Sequence, residues 1–283
     1  MTGIDLAPPG GAAGETGVDA PDVAPQPPTR PSVRTPGRIV AAIGVAAVTV
    51  WAFSGTGFSP LELWRGLPAL ADLLGRMLPP DFTIVPELVD PILETIRMAV
   101  VGTVLASIIA LPFGVMAAAN VTPHPTVRRL VRPVLNALRT IPELIFALLF
   151  VAAVGLGPVA GILAILLGNL GFLGKVYSEA LESVDPRPVD AVTGLGTTRG
   201  QAAWYAVIPQ ALPIMTSFVL YLLEINFRAA TILGVVGAGG IGFELQAAIR
   251  LFQYQNMMMI ILLIGVCVTL IDLLSSSVRR RLL

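Results

Sequence analysis

Three polar residues, Glu224, Asn226 and Arg228, interrupt an apolar run otherwise suited to a membrane. On a helix the two charges stand one turn apart, so their side chains can meet. At mid-bilayer each charge costs ~2.5–3.5 kcal/mol even on a lenient insertion scale, so both must face protein or water. Two chemistries fit the pattern. One is a neutralised pair that only holds the helix. The other is an Arg228 guanidinium contacting an anion along a water-filled path, with Glu224 steadying it and Asn226 beside it. Glu94 and Arg97, at the start of an earlier apolar run, repeat the arrangement more weakly and add Arg97 to the candidate path.

A second candidate follows at once. Gly237-x-Gly239-x-x-Gly242 matches the dinucleotide-binding fingerprint letter for letter. No strand precedes it and no βαβ unit surrounds it, so that chemistry is excluded. Gly237, Gly239 and Gly240 make either a kinked, closely packed helix end or non-helical backbone lining a cavity, where N–H groups meet an anion.

The third candidate is the polar island Val184 to Pro213, VDPRPVDAVTGLGTTRGQAAWYAVIPQALP, set between two long apolar runs. Pro186 and Pro188 suit a helix N-terminus, and Asp185 or Asp190 suits the positive end of its dipole. Gly194 and Gly196 end that helix, and Pro209 marks entry into the next run. The island therefore predicts a short helix outside the membrane that turns into a span.

These candidates sit in a chain that is 55% hydrophobic and only 13% charged, against ~25% charged in soluble domains. The fold class expected is all-α integral membrane, with six transmembrane helices. Lys and Arg number 18, as do Asp and Glu. With no net charge, nothing points to nucleic acid. The single cysteine, Cys267, lies in an apolar run, and the single histidine, His124, lies between prolines. No disulfide, metal site or cofactor is expected. No GxxxxGK[ST], GxSxG or HExxH occurs and no catalytic set can be assembled, so any ATP must be hydrolysed by another chain.

In order, residues 1–37 are rich in Pro, Gly and Ala and read as a disordered tail. Residues 38–55 are the first span, uncleaved for want of a small-residue cleavage site. Residues 56–90 carry a helix whose Leu61, Trp64, Leu67, Ala71 and Leu74 share a face, suited to the membrane surface or to packing on the protein itself. Residues 91–275 form the core with five further spans. In it, Met98 to Ala119 is charge-free and long enough to cross ~30 Å of hydrocarbon. Leu144 to Gly174 is also charge-free but breaks at Gly155-Leu156-Gly157-Pro158 into two short spans joined by a tight turn. Ala211 to Val236 and Leu251 to Ile271 complete the set, and residues 276–283 are a basic end.

Basic residues divide unequally between the two sides. One set of loops and ends holds Arg30, Arg34, Arg38, Arg128, Arg129, Arg132, Arg139, Lys175, Arg187, Arg199 and Arg279-Arg280-Arg281; the other holds Arg65, Arg76 and Arg250. The positive-inside rule makes the first set, with both termini and the Asp190 island, cytoplasmic.

The island resembles the EAA loop of ABC importer permeases, whose pattern is Glu-Ala-Ala, then Gly, then Ile-x-Leu-Pro. Asp190, Ala191, Val192, Gly196, Ala206, Ile208 and Pro209 fill those slots. From about Leu61 to Ile271 the chain is similar to phosphonate-type ABC importer permeases. The carrying blocks are Glu94-Thr-Ile-Arg-Met-Ala-Val-Val-Gly-Thr103, Arg139-Thr-Ile-Pro-Glu-Leu144, Val154-Gly-Leu-Gly-Pro158, Gly174-Lys-Val-Tyr-Ser-Glu-Ala180 and Glu224-Ile-Asn-Phe-Arg-Ala-Ala-Thr-Ile-Leu-Gly234. The glycine element also resembles that of methionine and osmoprotectant permeases.

The resemblance implies a type I importer fold in a bacterial cytoplasmic membrane, carrying phosphonate, phosphite or phosphate. It implies a second permease copy, a cytoplasmic ABC ATPase dimer and an extracytoplasmic substrate-binding protein. Asp190, Ala191, Gly194, Gly196 and Pro209 would couple to the ATPase. Arg228, Glu224, Asn226, Gly237, Gly239, Gly240 and Arg97 would line the substrate path. A permease for methionine or an osmoprotectant, and a membrane scaffold that moves no solute, are the alternatives.

Overall fold

The computed structural model describes residues 36–57, 59–122 and 124–282, and every regular element among them is helical. The expected tail thus lies outside the described residues, except for Pro36 and Gly37, which open α1 (Pro36–Gly55). The chain divides into two units at Arg65 and Gly66. The first contains α1 and the start of the amphipathic α2 (Pro60–Met77).

The second unit continues through α3 (Val85–Ala117), α4 (Pro125–Thr140), α5 (Glu143–Val154), α6 (Pro158–Glu182) and α7 (Pro186–Gly194). After these come α8 (Arg199–Ala202), α9 (Ile208–Leu233), α10 (Gly240–Arg250) and α11 (Tyr254–Leu282). Proline occupies the first turn of α3, α4, α6, α7 and α9. Its fixed φ suits that position and its missing N–H costs nothing there.

The core is a seam between α3 and α6. In lipid there is no hydrophobic drive between helices, so close approach must come from small residues. Gly102, Ala106, Ala110 and Gly114 supply one at every turn, and all four are buried. A Cβ on Gly102 would lie 2.7 Å from Ile165, and one on Gly114 would lie 2.6 Å from Tyr177. Those pairs, and the hydrogen bond from Ala119 N–H to Glu182, share one separation of 63 residues. The two helices therefore run parallel in fixed register. α9 runs antiparallel along α6, its Ala211 sharing one core cluster with Leu181 and its Leu233 sharing another with Ala164.

α4 and α5 meet at 87°. The bend falls at Ile141, which is extended (φ −87, ψ 120) because a following proline disfavours the helical region. α4 presses on α6 where glycine permits it: a Cβ on Gly171 would lie 2.7 Å from the Arg139 nitrogen and the Leu135 oxygen. The break expected at Gly155 to Pro158 is present as the α5–α6 turn, with Gly155 at φ 91 and Gly157 at φ 131.

Among the described residues, four helical stretches are long and apolar enough to cross a membrane, or five if α4 and α5 together make one broken span. The expected count of six is reached only by adding Ile39–Gly55, a shorter apolar stretch. At ~1.5 Å per residue it covers about 25 Å. Glu244 and Arg250, between the glycines and the last span, lie on the helix α10.

Candidate functional site

On α9 the three polar residues part company. The Arg228 guanidinium donates to the Glu224 carboxylate at 3.1 Å; the Arg228 side chain is 55% exposed and that of Glu224 is 17% exposed. Asn226 points the other way and is fully buried. Its amide donates to the Thr103 hydroxyl at 2.7 Å and accepts from the Asn169 amide at 3.0 Å. Thr103 donates onward to the Ala99 carbonyl at 2.6 Å, and Asn169 to that of Ile165 at 2.7 Å. A buried amide without partners would cost ~1–3 kcal/mol. Here its hydrogen bonds tie α9 to α3 and α6 and fix the rotation of α9, so Arg228 faces outward. Asn226 and Arg228, expected together on a path, therefore lie on opposite faces. Thr103 and Asn169 join the network without having been among the candidate residues. Their visible signal was small polar side chains inside apolar runs.

The glycine element turns the chain back on itself. Gly237, Gly239 and Gly240 have φ of 102, 86 and 68, values that only glycine adopts without strain. Gly234 and Gly242 pack backbone to backbone: a Cβ on Gly234 would lie 2.8 Å from the Gly242 Cα, and one on Gly242 would overlap the Thr231 carbonyl oxygen. The Ile241 N–H donates to the Thr95 hydroxyl at 2.9 Å, anchoring the turn to α3. The Gly157 N–H donates to the Gly237 carbonyl at 3.0 Å, anchoring it to the start of α6. Close packing accounts for these glycines. Beside them lies a cleft of about 260 Å³, lined by Gly237, Gly239, Gly240, Phe243 and two carboxylates, Glu94 and Glu244. Arg97 is exposed on α3 and does not line it.

The island forms the expected short helix, α7. Asp185 caps it, accepting from the Arg187 N–H at 3.0 Å. The backbone and side-chain hydrogen bonds from Arg187 hold the Asp185 carboxyl below its ordinary range. With the folded pKa depressed, the cap holds at neutral pH and is lost as the pH falls through that lowered value. The Asp185 N–H donates to the Gln210 side chain at 3.2 Å, which pins the start of α7 to α9. Gly196 ends the turn at φ 81 with nothing within 4 Å of where its Cβ would stand. Asp190, Ala191 and Gly194 on α7 and Gly196 just beyond it are exposed together with Leu195, which is 83% exposed. Val189 packs inward on the core containing Leu181 and Val207. A rigid helix, seated on the bundle by one face and bare on the other, can receive a partner and pass its motion inward. Pro209 stands apart, in the first turn of α9.

Among the described residues no group of three or more His, Cys, Asp or Glu side chains could hold a metal. Residues 110–283 match the model of the binding-protein-dependent transport system inner membrane component. The chain belongs to this family. It is therefore a multi-pass membrane protein, as its apolar helices require. It is 41% identical over 244 residues to the phosphite transport system permease protein PtxC of Stutzerimonas stutzeri, covering 86% of this chain and 88% of that one. It is 40% identical over 236 residues to the phosphate-import permease protein PhnE of Mycolicibacterium smegmatis, covering 83% of this chain and 44% of that one. Among solved structures, the inward-facing MetNI methionine ABC transporter aligns with a TM-score of 0.61 at 24% identity, over 72% of this chain and 99% of that one. That likeness places the family member in the type I ABC importer permease fold.

Proposed function

We propose that this family member is the membrane-spanning subunit of an ATP-driven importer that carries phosphonate, phosphite or phosphate by alternating access. The observation that carries the reading is Arg228: a guanidinium steadied by Glu224 on the outward face of a membrane helix, in a chain about 40% identical to permeases named for phosphite and phosphate. A guanidinium offers planar, paired donors to an oxyanion and stays charged throughout.

In this reading the termini and α7 face the cytoplasm, where an ATPase dimer docks on Asp190, Ala191, Gly194 and Leu195. A second permease copy completes the path, and an extracytoplasmic binding protein delivers the solute. The chain itself hydrolyses nothing. Closure of the ATPase moves α7 as a lever, and the spans rock to reopen the path inward.

The acidic cleft beside the glycine turn favours a second reading, a cationic or zwitterionic solute such as methionine or betaine, because Glu94 and Glu244 would repel an oxyanion. Uptake of labelled phosphate, phosphite and methylphosphonate by the reconstituted assembly discriminates between the two. The oxyanion reading expects uptake that these three compete for and that methionine and betaine leave unchanged. Competition by methionine or betaine alone would overturn it.

A further inference from the structure

We infer that Glu182 is a positioning residue for coupling, joining the lever to α3 and α4. Glu182 is the last residue of α6, and the chain reaches the α7 cap, Asp185, three residues later. Its carboxylate accepts the Ala119 N–H at 2.6 Å, just past the end of α3. The same oxygen pairs with Arg132 of α4. Arg132 in turn donates through Nε to the Ala117 carbonyl at 2.9 Å, and Asn120 donates to the Leu181 carbonyl at 2.6 Å.

The last carbonyls of α3 and the end of α6 are thus bound to each other and to α4 around one oxygen. Both side chains of the ion pair are under a third exposed, and hydrogen bonds between charged partners are stronger than neutral ones. A displacement arriving at α7 pulls on Ser183 and Glu182. Through Glu182 it must also carry α3 and α4. Without that carboxylate, α6 would move while α3 lagged, and the 63-residue register of the seam would have to slip or resist. The α4 bend at Ile141 makes this link consequential, since beyond the bend α5 leads to the glycine turn: a Cβ on Gly237 would lie 3.7 Å from Val151.

This inference rests on the transport reading above, and the test separates the two. The complete assembly is reconstituted with wild-type permease, with Glu182→Ala or with Glu182→Gln, and ATP hydrolysis and uptake are measured on the same vesicles. Wild-type vesicles without ATP-driven uptake would sink the transport reading and this inference with it. Given wild-type uptake, Glu182→Ala should lower the solute moved per ATP roughly five- to tenfold, within the usual range of coupling free energies, while ATP hydrolysis stays within about twofold. Glu182→Gln keeps an oxygen for the Ala119 N–H and loses the ion pair, so it should fall between. A purely structural role would lower folding yield and both activities together and leave their ratio alone. An unchanged ratio in Glu182→Ala overturns the proposal. If that variant does not fold, an unchanged ratio in Glu182→Gln does so instead.

Discussion

Replacing Gly242 with valine should leave little folded protein. Most glycines in a membrane helix spare room that a neighbouring side chain could surrender by rotating. Gly242 does not, because a Cβ there overlaps the carbonyl oxygen of Thr231, and that backbone belongs to α9. Its neighbour Gly234 is held the same way, with a Cβ landing 2.5 Å from the Gly239 oxygen. Relief would require moving α10 away from α9, which would break the Ile241 bond to Thr95 and with it the anchor on α3. Overpacking against side chains costs ~1–3 kcal/mol and more where nothing can yield, out of a total stability of ~5–15 kcal/mol. Size-exclusion profiles in detergent should show the monodisperse fraction falling severalfold. Gly265→Val is the control, since nothing lies within 4 Å of a Cβ there, and it should elute as wild type. Equal behaviour of the two variants would contradict the packing described for the turn.

The second large effect concerns Arg228, and it separates the two chemistries open to an intramembrane ion pair. Removing only the arginine leaves Glu224 without its counter-charge, so a loss of transport would be ambiguous. The informative variant is the double neutral one, Glu224→Gln with Arg228→Gln. If the pair serves only to neutralise, the double variant should fold and transport like wild type. If Arg228 contacts the oxyanion, the double variant should fold at least as well as wild type yet lose most uptake. Losing a hydrogen bond to a charged group, worth ~1.5–3 kcal/mol, corresponds to roughly ten- to a hundredfold. We expect the second outcome, because Arg228 is more than half exposed on a helix whose other face is locked by Asn226. Full uptake by the double variant would return Arg228 to a structural role.

Much of this architecture was legible from residue order. Proline and glycine punctuate the helix ends, so the starts of α6, α7 and α9 and the turn at Gly155 to Gly157 are legible in the residue order, whereas α4, read as a basic loop, is not. The pairing of Glu224 with Arg228 was legible because both partners lie on one helix, one turn apart. What stayed hidden depends on residues far apart in the chain. Asn226 finds Asn169 at a separation of 57 and Thr103 at 123, and nothing local announces which face an asparagine will present. Reading it as part of a path followed from its charged neighbours; on a helix, however, positions 226 and 228 diverge by about 200°. The α3–α6 register was hidden for the same reason, and so was the Glu182 cluster. The bend at Ile141 was foreshadowed by Pro142, but its angle depends on how closely α4 can approach Gly171 and Gly174.

The central claim is that the exposed loop of α7 receives motion from a separate ATPase, and Gly196→Trp tests it most directly. The position is open, with nothing within 4 Å of where a Cβ would stand, and its left-handed backbone costs only ~1–2 kcal/mol. The variant should therefore fold, while a bulky ring stands beside Leu195 on the bare face of the loop. Substrate-stimulated ATP hydrolysis by the reconstituted assembly is the measurement. A fall of roughly tenfold or more, with normal folding of the isolated permease, is the predicted result; hydrolysis and stimulation equal to wild type would contradict the account.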